Sequence, residues 1–118
     1  MALKIRKNRS PAPPPTCNVG ACMQVLGGAW TPNVIWYLGG GPRRFGELRR
    51  DIPAISAKML SARLRALEEK GVVLRKVMPT TPPSTEYALT ELGQEYVPAI
   101  KAIAEVGARL KARALEAA

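Results

Sequence analysis

Ser56, Lys58, Ser61 and Arg65 fall in the stretch "ISAKMLSARLRALEEKG". Together they offer two hydroxyls and two cations to whatever lies against them. An ammonium or guanidinium can meet a phosphate oxygen or the acceptor edge of guanine. A serine hydroxyl can bond a base or a phosphate. With Leu60 as the inward direction of a helix, Lys58, Ser61, Ala62 and Arg65 point outward, and Ser56 and Ala57 form the tip. Positive charge beside a helix N-terminus opposes the macrodipole, which is already positive there. That placement makes sense where something strongly negative lies against this end. The acids Glu68 and Glu69 come a turn or more farther along.

Other chemistry is hard to find. There is no histidine, which removes the commonest general base. No phosphate-cradling loop or nucleophile-elbow motif is present; "LGGG" at 38–41 lacks the lysine and spacing of a phosphate loop. Cys17 and Cys22 are the only cysteines. They are too few for a disulfide framework, and their spacing does not match a zinc hook. The expectation is a protein with no enzymatic activity, no metal site and no cofactor.

The chain has 118 residues and a net charge of +9, a length suited to one domain with a modest core. The charge is unevenly spread. Residues 17–76 carry ten basic and four acidic groups, whereas residues 77–118 carry four and five. A basic centre with a neutral tail favours an anionic polymer as partner, double-stranded DNA above all. No apolar run approaches a membrane span. A proline cluster follows the basic N-terminus in place of the apolar core of a secretory signal. No membrane association is expected, and the expected compartment is the cytoplasm.

The elements that must hold these side chains follow from periodicity. Residues 1–16 read as a basic, proline-rich arm, either simply disordered or touching DNA, and residues 17–118 as the folded domain. A short helix from Cys17 to Leu26 would carry Val19, Cys22, Met23 and Leu26 on one face, with Cys22 packing inward. Thr31 is the expected N-cap of a second helix, with Pro32 at its first position and Val34, Ile35 and Leu38 facing a core. Phe45, Leu48 and Ile52 mark a third helix. Ser56 caps the fourth, striped by Leu60, Leu64 and Leu67 and closed by Gly71. Arg63 falls nearer its buried side, with its stem along the preceding helix. Residues 72–79 and 84–90 then read as a hairpin with a long, uncharged tip that offers only hydroxyls. Thr90 caps a last helix from 91 to about 115, with Pro98 inside it as an expected kink.

Two helices joined by a short turn and followed by a hairpin predict a mainly α (α+β) winged helix-turn-helix with a two-stranded wing and additional terminal helices. Such a fold lays the second helix of the pair in a major groove. Arg43, Arg44, Arg49 and Arg50 flank the first helix of the pair, and Arg75 and Lys76 lie on the wing; all are candidate phosphate contacts. An alternative is a winged-helix module that binds an acidic protein partner, which duplex DNA would fail to displace. Trp30, Trp36 and Tyr37 could instead line a pocket for a small-molecule effector at a dimer interface, or simply be core.

At this point the chain resembles the HxlR-type winged helix-turn-helix transcriptional regulators, from about Cys17 to Ile103. The resemblance rests on "LGGAWTPNVIWYLGGGPRRFGEL", "RRDIPAISAKMLSARLRALEEKGVVLR" and "PPSTEYALTELG". Its anchors include Gly27, Gly28, Trp30, Phe45, Ser56, Leu60, Leu64, Gly71, Tyr87 and Gly93. Asn18 and Ala29 stand where the family often has a proline and a cation. The resemblance implies a prokaryotic homodimer that pairs through the first and last helices, here Val19, Met23, Tyr96, Ile100, Ile103 and Leu110. The apolar length of the last helix agrees with that. A twofold dimer reads a pseudo-palindrome. Some members sense oxidants, quinones or aldehydes through an N-terminal cysteine, and Cys17 matches that position. A thiol near a helix N-terminus can be reactive; the alternative is a small, inert residue.

Overall fold

The computed structural model describes residues 18–117; Cys17 and the arm before it lie outside the described residues. The element order is α1 (Asn18–Leu26), α2 (Thr31–Leu38), β1 (Arg43–Arg44), α3 (Phe45–Asp51), α4 (Ala57–Glu69), β2 (Val73–Met78), β3 (Ser84–Leu89) and α5 (Glu91–Ala117). This is a winged helix-turn-helix, with α3 and α4 as the pair and β2–β3 as the wing.

The α4 boundaries come from local chemistry. Ser56 Oγ accepts the Met59 amide at 3.0 Å, filling one of the donors a helix start leaves open. At the other end Gly71 has φ +74°. Its amide donates to Glu68 O at 3.1 Å, and the Val72 amide donates to Leu67 O at 2.9 Å. That double bond pattern is the Schellman closure, which glycine enters without a Cβ penalty. Between the caps, Leu60, Leu64 and Leu67 are all buried. Each contributes roughly 1.5–3 kcal/mol of apolar burial, so the helix is held by its inner stripe and its outer face is free.

The core joins that stripe to Val34, Ile35 and Leu38 of α2, Leu48 of α3, Ile52 and Ile55 of the turn, Val72, Val73 and Ile100. Two expected details differ. Thr31 is the first residue of α2, not its cap; the cap position is Trp30, in the left-handed region at φ +73°. The Thr31 side chain, buried, turns back and donates to Gly27 O at 3.0 Å. The wing also gains a third strand. β1 pairs antiparallel with β3, giving the order β1-β3-β2.

Thr90 joins wing to last helix. Its hydroxyl accepts the Gly93 amide at 3.1 Å, the expected cap. Its proton goes to Gly71 O at 2.5 Å, with Val72 O at 3.2 Å. Its amide donates to Val72 O at 3.0 Å. The helix it starts has 27 residues and runs unbroken through Pro98, a length of about 40 Å at 1.5 Å per residue. Its buried residues are Gly93 and Ile100. Beyond them Ile103, Val106 and Leu110 are about half exposed, at 55%, 47% and 60%, so an apolar stripe is left uncovered.

Candidate nucleic-acid interface

Ser56, Ala57, Lys58, Ser61, Ala62 and Arg65 are all exposed. At 100° per residue, positions 57, 58, 61, 62 and 65 span an arc of about 140° that starts beside Leu64 at Ala57 and runs round to the side opposite the leucines. The structure therefore brings the sequence-predicted residues to one face. Ser56 Oγ already accepts the Met59 amide; its hydroxyl proton is what remains for an external acceptor. The two alanines keep the face low, so a groove wall can approach the backbone between the cations.

Arg63 is held elsewhere. Its Nε donates to Ala29 O at 2.8 Å, across the turn between α1 and α2 and not along α3 as expected. The guanidinium lies over Gly28, where a Cβ would come within 2.6 Å of its Cζ. Gly28 also has φ +95°, so the backbone angle favours glycine there, and any side chain would in addition displace the guanidinium. Lys70 acts similarly at the far end of α4, with Nζ donating to Gln24 O at 2.6 Å. Two of the cations near α4 thus fix its orientation, and Lys58 and Arg65 are left to face outward.

The flanking arginines divide. Arg44, Arg49 and Arg50 are exposed. The Arg44 amide donates to Glu47 Oε1 at 2.9 Å, which places a carboxylate at the positive end of α3. Arg43 is set apart. Its Nε lies 3.8 Å from Asp51 Oδ2, and its Nη2 is beside Gly40, on the α2–α5 side of the molecule. On the wing, Arg75 is opposite Tyr87 and Lys76 opposite Glu86. Successive strand residues face opposite ways, so the two cations cannot share one surface. Arg44 is also opposite Glu86; Lys76, Glu86 and Arg44 form one row, and Arg75, Tyr87 and Arg43 the other. At the wing tip Thr80 Oγ1 donates to Pro82 O at 2.8 Å and lies 3.1 Å from Ser84 Oγ, so that hydroxyl is turned inward.

Of the residues read as dimer contacts, Val19 and Met23 are exposed at 71% and 53%, and Ile103 and Leu110 are also uncovered. Tyr96 is half-buried. Ile100 is a correction: it is 4% exposed and belongs to the protomer's own core. Cys22 is another. It is exposed, with its thiol beside Tyr96. Partial burial, then the neighbouring Cys22 and Glu95, hold the Tyr96 hydroxyl above its usual pKa, so it stays protonated at ordinary pH. Trp36 and Tyr37 line two surface clefts, but Trp30 does not join them; it packs half-buried against the core. Among the described residues, no helix is long and apolar enough to cross a membrane.

Comparison with known proteins agrees with this geometry. Residues 25–114 match the model of the HxlR-like helix-turn-helix family. The chain is 40% identical over 92 residues to YkvN, an HTH-type transcriptional regulator of Bacillus subtilis, covering 78% of each. Among solved structures it is similar to the redox regulator HypR in its oxidized form, with TM-score 0.75 and 38% identity over 79% of this chain and 96% of that one. It is also similar to the reduced form of the transcriptional regulator YodB from Bacillus subtilis, with TM-score 0.68 and 36% identity over 76% and 89%. The chain belongs to the HxlR-like helix-turn-helix family and is a DNA-binding transcriptional regulator of helix-turn-helix type.

Proposed function

We propose that this regulator acts in the cytoplasm as a homodimer that occupies a pseudo-palindromic operator, reading bases with the N-terminal half of α4. The observation that carries the reading is the outward arc of α4, where Lys58, Ser61 and Arg65 stand free beside alanines. The dimer is supported by the uncovered apolar residues of α1 and α5. Two copies related by a twofold axis present two α4 helices to half-sites about 10 bp apart or a multiple of that. Arg44, Arg49 and one of the two wing cations supply phosphate contacts, so affinity falls steeply with salt.

The test is fluorescence anisotropy with duplex DNA from upstream of the protein's own gene, and then from other promoters, against a scrambled duplex. Arg65→Ala is expected to weaken specific binding by about 1–3 kcal/mol while leaving the scrambled duplex nearly unaffected. An unchanged operator affinity removes Arg65 from the reading surface. Binding that never distinguishes the duplexes, at any promoter, leaves an acidic protein partner as the better reading.

Operator occupancy responds, in this proposal, to oxidants or electrophiles through Cys17. Support comes from the similar redox regulator HypR and from the sequence position of Cys17 directly before Asn18, where α1 begins. Mild oxidation is expected to lower operator affinity at least several-fold. Cys17→Ser should abolish that response and Cys22→Ser should preserve it; the reverse result would transfer the role to the exposed Cys22.

A further inference from the structure

Trp36 stands between two clefts on the α2–α5 side. The larger, about 460 Å³, is lined by Pro32, Ile100, Ile103, Gly107 and Lys111 among others. It is continuous at Ile103 with the uncovered apolar stripe of α5. The smaller, about 370 Å³, has a different chemistry. Its walls are Trp36, Tyr37, Gly39, Gly40, Arg43, Val97 and Lys101: two aromatic rings, two cations and no acid.

We propose that this smaller cleft is a binding site for a planar aromatic carboxylate, its ring against Trp36 and Tyr37 and its carboxylate between Arg43 and Lys101. The two aromatic side chains provide faces and edges for stacking. Gly39 and Gly40 put no side chain into the cleft. A Cβ on Gly39 would lie 3.3 Å from Val97 Cγ2, and one on Gly40 3.4 Å from Arg43 Nη2. Arg43 is ion-paired with Asp51 through Nε, but no hydrogen bond joins those two atoms. Its Nε is 3.8 Å from Asp51 Oδ2, beyond hydrogen-bond length; both atoms are buried and neither has a hydrogen-bond partner among the described residues. Its Nη2 end is the one beside Gly40, at the cleft wall. A planar fork and a point charge converging on an apolar slot match a carboxylate carried on a ring.

The site also stays open in the proposed dimer. On α5, Val97 and Lys101 are turned about 140° and 180° away from Leu110, at 100° per residue. The surface that pairs two copies through Ile103, Val106 and Leu110 is therefore not the surface that walls this cleft.

The test is calorimetric titration of the full chain, without DNA, with 2-naphthoate, and with 2-naphthylmethanol and acetate as the ring without charge and the charge without ring. Lys101→Met and Lys111→Met, both at exposed positions, separate the two clefts. Expected are saturable binding of naphthoate, at least tenfold weaker binding of the alcohol, and none of acetate. Lys101→Met should weaken naphthoate at least fivefold and Lys111→Met less than twofold. No saturable binding, equal affinity for the neutral alcohol, or a loss in Lys111→Met as large as that in Lys101→Met would each overturn the proposal. Because DNA is absent, failure here leaves the operator reading untouched, and failure of operator binding leaves this titration intact.

Discussion

Gly93→Ala is expected to cost about 3 kcal/mol of folding stability, the upper part of the range for forcing an extra carbon into a packed site. A Cβ at this position would lie 2.3 Å from Val72 O and 3.0 Å from Leu89 Cβ. The first is a backbone atom, so no side-chain rotation relieves it. Val72 O is also the acceptor for the Thr90 amide, and Thr90 Oγ1 bonds Gly71 O and caps Gly93. Moving the start of α5 away therefore loosens the closure of α4 and the base of β2 together. For a domain this size the melting temperature should fall by about 12 °C or more. Urea titration of the variant beside Gly46→Ala checks it. Gly46 has open space around its missing Cβ, and alanine in a helix is favoured over glycine by about 1 kcal/mol, so that variant should be neutral or slightly more stable. A Gly93→Ala protein as stable as the parent would mean that α5 does not pack on Val72 as described.

The second large effect is expected from Leu110→Glu. Leu110 is 60% exposed and makes no part of the buried cluster, so the protomer should fold unchanged. In the proposed dimer it lies on the pairing stripe with Ile103 and Val106, where a carboxylate would have to be buried without a partner. Sedimentation velocity should show a monomer where the parent is a dimer. Losing the linkage of two half-sites should then reduce operator affinity by about 10²–10⁴-fold, while binding to a single half-site changes little. A Leu110→Glu protein that remains dimeric would place the interface elsewhere.

Where one residue type at one spacing decides an element, the sequence was legible. Ser56, the three leucines and Gly71 define α4 from end to end because capping, burial and the left-handed exit are all local. The hairpin and the start of α5 at Thr90 were readable for the same reason. β1 was not. Two residues carry no periodicity, and Arg43–Arg44 is a strand only because β3 runs beside it. Thr31 is a good cap by type, but the turn through Gly27 and Gly28 leaves Trp30 in the cap position of α2. Periodicity also fixes a face without naming what covers it. It gave Ile100 and Ile103 the same stripe, yet the core takes Ile100 and leaves Ile103 bare; it put Cys22 with Leu26, yet only Leu26 is enclosed. For the site, the outward arc of α4 followed from helix geometry alone. The separate fates of Arg43 and Arg63 depend on Asp51, Gly40 and a carbonyl 34 residues away, and no local pattern carries such partners. Alternation does place Arg75 and Lys76 on opposite faces of β2, a consequence that treating the wing as one basic surface overlooks.

The hold of Arg63 on the α1–α2 turn bears on how this sequence is free to drift. Its acceptor is the main-chain oxygen of residue 29, which every amino acid possesses. The contact thus places no demand on the side chain there, and the alanine at 29 leaves the orientation of α4 intact. The demand falls one residue earlier. At Gly28 the backbone angle disfavours any Cβ, and one placed there would also push the guanidinium off its seat. Neighbouring positions in one short turn therefore stand under opposite constraints: substitutions should accumulate at 29, and a change at 28 stays strained whatever stands at 63.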